Sequence, residues 1–320
     1  MSFKHKKKFS WESFFSKFQR SQLRLINRCY DQSFNNTSAD DTKILIAKSI
    51  LSQQINFKSD NINNYEFKVF SQFGDDGIIQ FLIRRLNINQ SSFIEFGVSD
   101  YKESNTRFLL MNNNWSGFVI DGSVDNIKML KSQYYFWKYD LQALSAFITC
   151  KNINKLISKS NFNDIGLLHI DLDGNDYWIF KSLDLSNINP KIIIIEYNSV
   201  FGNHRFITTP YKSDFDRTQA HYSNLYCGAS LGAIVHLAKL RGYSFIGCNL
   251  NGNNSYFIKN DLLDISGLKD LSIKNGYIES KFRESKNCEG RLNYARNKER
   301  LELIRGLPVY NIITNKIEKI

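Results

Sequence analysis

The chain has 320 residues, 42% of them apolar, enough for a sizeable core and too many for a disordered polymer. Its formal charge of +11 is concentrated in residues 1–30, where Lys4, Lys6, Lys7, Lys8, Lys17, Arg20, Arg24 and Arg28 face only Glu12, so the body is mildly basic and a nucleic-acid groove along it is not expected. Cys29, Cys150, Cys227, Cys248 and Cys288 are scattered without a CxxC pair, and no apolar run approaches the about 20 residues of a bilayer span, which disfavours a zinc site, a disulfide framework or a membrane helix and suits a soluble cytoplasmic protein.

Residues 1–64 read as a basic helical extension. Its cations are interleaved with Phe3, Phe9, Trp11, Phe14, Phe15 and Phe18, a combination suited to docking on an anionic membrane surface or on a protein partner. Asn61-Ile62-Asn63-Asn64 reads as a linker, after which residues 65–320 form the organised domain.

From residue 92, short apolar runs alternate with amphipathic segments. FIEFGV at 93–98, GFVID at 117–121, YYFWKY at 134–139, IGLLHID at 165–171 and KIIIIEY at 191–197 each read as a buried strand. Helical segments near 104–113, 123–132, 143–160 and 176–183 separate them, and repeated strand–helix units demand right-handed crossovers and a parallel sheet. An apolar helix at 228–242 is followed by YSFIGCNL and SYFIKN, joined by Asn251-Gly252-Asn253-Asn254, a hairpin signal. The expected fold is α/β, a doubly wound, mostly parallel, Rossmann-like sheet of seven strands. A charged helical region and a short strand around Leu307-Pro308-Val309 complete it.

In such a sheet the ligand sits beyond the carboxyl ends of the strands, where strand order reverses. Those ends are acidic here: Glu95 and Asp100 after the first strand, Asp121-Gly122 after the second, Asp140 after the third, Asp171, Asp173 and Asp176 after the fourth, and Glu196 with Asn198 after the fifth. Gly97 would let a ligand approach the backbone, and Asp121 would accept the ribose hydroxyls of a nucleoside. A dinucleotide is disfavoured, because GxGxxG is reduced to Gly97 alone. Taken singly, a glycine after a strand is usually a turn and an aspartate there a helix cap. Acids at five successive strand ends need cations or donors to meet them.

These segments, with FSQFGDDGII at 70–79, FIEFGVSDYKESNT at 93–106, HIDLDGNDYWIFKSL at 169–183 and YCGASLGAIVHLAKLRGYSFIGCN at 226–249, resemble the FkbM-like branch of class I methyltransferases that use S-adenosylmethionine (SAM). The similarity spans about residues 65–310 and is strongest to bacterial members associated with surface-glycan and lipid-linked-sugar loci. It implies methyl transfer from SAM, usually to a hydroxyl oxygen. It also implies cofactor roles for Glu95, Gly97, Asp121 with Gly122, and Asp171, an adenine contact for Asp140, and loop roles for Asn105 and Thr106. Gln72 and Asp75 stand where related enzymes close over the cofactor. The Asp-Leu-Asp-Gly of residues 171–174 departs from relatives that carry glutamate at its third position, and keeps the charge.

A hydroxyl acceptor must lose a proton, so a base is required near the methyl group. Asp173, Glu196 and His204 are the candidates by position; His169, inside a strand, reads as structural. Tyr177, Trp178 and Tyr197 are candidate aromatic walls for a sulfonium, although Trp178 suits core packing better. The polar loop 199–228 reads as a lid over the acceptor. Asp171, Asp173, Glu196 and Asn198 would also form an oxygen set suited to magnesium. Two rival readings have less behind them. An RNA methyltransferase would need an RNA-binding module or an NPPY-like motif, and a non-catalytic binding protein would have no reason to keep Asp121 and Asp171.

Overall fold

The computed structural model describes residues 37–320, so the basic aromatic segment 1–30, with Cys29 and the docking role expected of it, lies outside the described residues. The chain divides into two units, Met1–Gln53 and Gln54–Ile320. Residues 37–53 of the first are helical. Everything below belongs to the second.

Its main sheet contains β1 (Ser92–Phe96), β2 (Ser116–Asp121), β3 (Leu141–Ser145), β4 (Leu167–Ile170), β5 (Ile192–Glu196), β7 (Tyr243–Cys248) and β8 (Asn254–Lys259). The order is β3-β2-β1-β4-β5-β8-β7, with β1 to β5 parallel and β8 antiparallel to both neighbours. Strand order therefore reverses between β1 and β4, and a doubly wound sheet opens its ligand crevice there. The helices α1 (Asp75–Arg85), α2 (Arg107–Asn113), α3 (Val124–Lys131), α4 (Ile153–Ile157), α5 (Asp176–Ser182) and α6 (Leu231–Leu240) accompany the strands.

The isoleucine run explains the sheet's centre. Ile192, Ile193, Ile194 and Ile195 are all 0% exposed, so β5 is covered on both faces, and each side chain contributes about 1.5–3 kcal/mol of burial. Ile195 pairs with Ile170 of β4, which sets the following residues, Asp171 and Glu196, side by side at the carboxyl edge. Between β7 and β8 the expected turn forms because Asn249 Oδ1 accepts from the backbone N–H groups of Gly252, Asn253 and Asn254.

The third strand is displaced from its expected position. Residues 134–139 form turns, and the strand is the less apolar LQALS of 141–145. The aromatic run covers rather than pairs: Tyr135 is buried beneath the Arg107 guanidinium, 4.4 Å from its ring centre, while Trp137 is 77% exposed. The long helix expected over 143–160 consequently shrinks to α4 and a one-turn 3-10 segment, Ser158–Ser160. Residues 61–64, read as a linker, lead into a 3-10 turn, Ile62–Tyr65, whose two end residues are buried, Tyr65 stacking on Phe81 at 3.8 Å.

The C-terminal region is less helical than its charge pattern suggests. Pro308–Asn311 (β9) pairs with Lys316–Lys319 (β10) and with Ile207–Thr208 (β6), making a second, three-stranded sheet that anchors the loop after β5. Among the described residues no helix is long and apolar enough to cross a membrane.

Candidate active site

Two contiguous clefts lie at the carboxyl edge, of about 500 and about 160 Å³, and share Gly97, Ser99, Asp171 and Asp173. The larger adds Gln72, Phe73, Asp100, Glu196, Arg217, Phe282 and Glu284. The smaller adds Asp121, Gly122, Phe147, Ile148 and Phe215.

Gly97 lets the two sides meet. Its φ is +73°, and a Cβ there would lie 1.7 Å from the carbonyl oxygen of Asp171. No other residue type permits β1 and β4 to finish so close together. Ser99 continues with φ +48°, and its N–H donates to Asp121 Oδ2 at 2.8 Å, while Ser123 N–H and the Asn126 amide donate to Oδ1. Asp121 therefore spends most of its four or so acceptor positions on the loops that flank it and has room for about one more donor.

The fourth-strand loop is folded by Asp176, the first residue of α5. Its buried carboxylate accepts from Leu172 N–H at 2.7 Å and Gly174 N–H at 3.0 Å, and that curl turns Asp171 and Asp173 into the cleft. Burial pushes Asp176 up to about 6. Asp171, Asp173 and Glu196 bring carboxylate oxygens within 4.8 Å of one another. Asp171 is pushed up to about 7, by burial first and then by the charge of Asp173, and it hydrogen-bonds Glu196. Glu196 stands well above its usual range, raised by burial and by Asp171, Asp173 and Asp176, with Arg217 opposing. Two carboxyls in such contact titrate as a pair and hold a proton between them near neutral pH.

Arg217, Phe215, Phe282 and Glu284 also line the clefts, and sequence pattern does not single them out. Arg217 Nη1 is 2.8 Å from Asp173 Oδ1, its Nη2 pairs with Glu284, and its Nε donates to Asn224 O. Burial works against this guanidinium, but the surrounding acids and Cys227 hold its proton firmly. The loop 199–228 thus reaches the cleft through Phe215 and Arg217. The ring of Phe282 stacks on Phe73 at 5.7 Å across the larger cleft. A lone arginine in a loop of mixed composition carries no periodic signal.

Several expected residues stand elsewhere. Glu95 is 2% exposed and all its acceptor positions are taken: Oε1 by Asn105 N–H and His169 Nδ1, Oε2 by the Ser104 and Thr106 hydroxyls. Burial alone would raise its pKa, but His169 and these donors hold it below the usual range. Glu95, Asn105 and Thr106 therefore brace the loop after β1 from behind and line neither cleft. Asp140 precedes β3, at the opposite edge of the sheet from the clefts, because the strand starts after the aromatic run. The residues after β3, Ala146, Phe147 and Ile148, wall the smaller cleft in its place.

Asp75 is 0% exposed and accepts from Asn249, Asn254 and Tyr256, so it joins α1 to the β7–β8 hairpin instead of closing over a ligand. His204 is exposed and lines neither cleft. Asn198 spends its oxygen on Val200 N–H and its nitrogen on Leu225 O and Cys227 O, so it is unsuited to an ion. Tyr177 and Trp178 pack against each other, and the Trp178 indole donates to Thr209 O; neither walls the clefts. Tyr197 lines only the cavity behind Glu196.

Solved structures with a similar arrangement include an O-methyltransferase from Bacillus cereus in complex with SAH, 11% identical, with a TM-score of 0.40 over 69% of this chain and 91% of that one. A putative caffeoyl-CoA O-methyltransferase from Staphylococcus aureus is 15% identical, with a TM-score of 0.40 over 67% and 99%. No curated protein sequence matches significantly. The family model described as "Methyltransferase FkbM domain" matches residues 60–222, which takes in α1, β1 to β5 and the loop carrying Phe215 and Arg217. The chain belongs to the FkbM methyltransferase family.

Proposed function

We propose that this methyltransferase moves a methyl group from SAM to an acceptor hydroxyl, on a sugar or on a glycan or lipid-linked precursor. The observation that carries the reading is the Asp171–Glu196 pair, a strongly perturbed acid couple on the wall of a cleft that continues to Asp121. The donor set fits the cofactor: an acceptor at Asp121, an aromatic face at Phe147 beside Gly122, and carboxylates where a sulfonium would be met. Bound SAM supplies an electrophilic methyl on a positively charged sulfur.

The chain's own residues do the rest. Asp121 holds a ribose hydroxyl, and Gly97 keeps the backbone close. Glu196, which faces both the larger cleft and the cavity behind it, takes the hydroxyl proton as the acceptor oxygen attacks, with Asp171 sharing the charge. Arg217 fixes Asp173, so Asp173 orients rather than abstracts. A cytoplasmic setting, with residues 1–30 contacting an anionic membrane or a partner, agrees with this reading.

Magnesium bound by Asp171, Asp173 and Glu196 is the second reading, favoured by their 4.8 Å grouping. Arg217 already brings positive charge to Asp173, so full turnover after chelation is expected. A rate that falls on chelation and returns with magnesium would favour the ion. The main test is calorimetric titration of the full chain with SAM, followed by mass spectrometry of incubated acceptors for a single methyl gain. Absence of SAM binding by folded protein would end the proposal.

A further inference from the structure

Behind Glu196 lies a cavity of about 20 Å³, room for about one water, and beyond it a basic hollow. The small cavity is lined by Glu196, Arg217, Phe282 and Glu284 and has Ser280 and Arg300 in its wall, and the same two residues line a second cleft of about 430 Å³ with Lys281, Arg283 and Arg296. Among the described residues Glu279 is the only acid lining this outer cleft. Arg300 is 5% exposed and lies on the short helix Lys298–Leu303; among the described residues its guanidinium makes one hydrogen bond, from Nη1 to Ser280 O at 3.2 Å, and no ion pair. The Ser280 hydroxyl beside it is buried without a partner among the described residues.

A buried guanidinium without a counter-ion is costly, and so is an orphaned hydroxyl. Glu284 does not meet that need, because it is paired with Arg217. Burial draws the Arg300 pKa down, with Glu279 and Glu284 only partly offsetting it. Arginine's planar fork with a neighbouring hydroxyl matches phosphoryl oxygens, and three further cations at the rim supply the field that attracts them.

We infer that this hollow is an anion subsite for the methyl acceptor: a phosphoryl group seats against Arg300 and Ser280 Oγ, with Lys281, Arg283 and Arg296 around it, and the hydroxyl-bearing part of the same molecule passes Phe282 into the larger cleft at Glu196. The inference rests on the hydroxyl-methylation reading and narrows its substrate class to phosphate esters. No step of the transfer changes, since the phosphoryl group binds and does not react.

The test is titration of the full chain with hexose 1-phosphate, with the parent hexose and with inorganic pyrophosphate at matched ionic strength, alongside SAM. Pyrophosphate should bind saturably, and the phosphorylated sugar at least tenfold more tightly than the parent sugar. Arg300→Gln should weaken pyrophosphate at least tenfold. Because that buried change can compromise folding, the exposed changes Arg283→Ser and Arg296→Ser provide an independent measure, each expected to weaken it several-fold. Arg291→Ser, a surface cation outside the cleft, should leave it unchanged. No saturable pyrophosphate binding, equal affinity for the two sugars, or indifference to Arg283→Ser and Arg296→Ser would overturn the subsite. SAM binding without pyrophosphate binding removes the subsite alone. Arginine-dependent pyrophosphate binding without SAM binding removes the methyl-transfer reading alone.

Discussion

Asp121 does two jobs at once, since it holds Ser99, Ser123 and Asn126 in place and still offers an acceptor to the smaller cleft. Asp121→Asn keeps one acceptor oxygen while removing the charge, and should weaken SAM about tenfold, or about 1.4 kcal/mol; because its amide nitrogen must face an N–H that the carboxylate accepts from, the urea midpoint should fall as well. Calorimetry at equal SAM concentrations checks it, and unchanged affinity would remove the ribose assignment. Arg217 acts on the acid pair through charge. It lowers the pKa of Glu196, so Arg217→Met should move the acid limb of the kcat/KM profile to higher pH. In the unaltered enzyme that limb should bend near 7, to which burial pushes Asp171, because the pair must lose its shared proton before it can accept another. An unmoved limb would detach Arg217 from the base. Strand-end acids such as Asp121 and Asp171 are visible in sequence because strands announce their ends. Arg217, Phe282 and Glu284 are not, because long-range packing alone brings them to the cleft.

At the scale of elements, the crossing of β1 and β4 depends on one missing side chain. Gly97→Ala would place a methyl 1.7 Å from Asp171 O at a φ of +73°, which no rotamer can relieve. The expected loss is about 3 kcal/mol in urea unfolding, with SAM binding impaired at the same time. A stable variant that binds SAM normally would contradict the close approach. Strands buried on both faces were legible for the same reason that β1 is constrained: apolar runs such as Ile192–Ile195 leave no solvent face. The third strand was hidden because its residues are ordinary and the aromatic run before it is loud. Tyr135 packs under Arg107 and Trp137 faces solvent, and periodicity cannot separate such a run from a strand. Glu95 misled in another way, since position at a strand end does not reveal whether a carboxylate points to the cleft or behind it.

Across the whole molecule, several buried carboxyl groups favour the folded state at low pH. Asp76, 1% exposed and clamped by the N–H groups of Val69, Phe70 and Ser71, is still pushed by burial to about 6, and Asp176 reaches about 6 and Asp171 about 7. For each, the unfolded chain ionises above 3.8 while the folded chain keeps its proton, so stability falls as pH climbs from there to the folded value. His169 adds the same sign. Although burial lowers it, its pKa is raised by Glu95, and that contribution is complete below 6.5 and fades as pH rises through the folded value. Glu95 limits the trend on the acid side, its stabilisation being lost as pH falls from 4.5 through its lowered value. The urea midpoint should therefore decline between pH 5 and pH 8, in opposition to the rising limb of activity. SAM should reverse part of that decline, because a sulfonium favours the ionised Asp171–Glu196 pair and so binds more tightly where deprotonation is already complete. At a concentration 100 times its dissociation constant a ligand adds about 2.7 kcal/mol, so the shift is measurable. With SAM at one fixed concentration, the midpoint should move further at pH 8 than at pH 6. Equal shifts at the two pH values would mean that the cofactor's charge does not meet this pair, and the assignment of Glu196 as the base would fall with it.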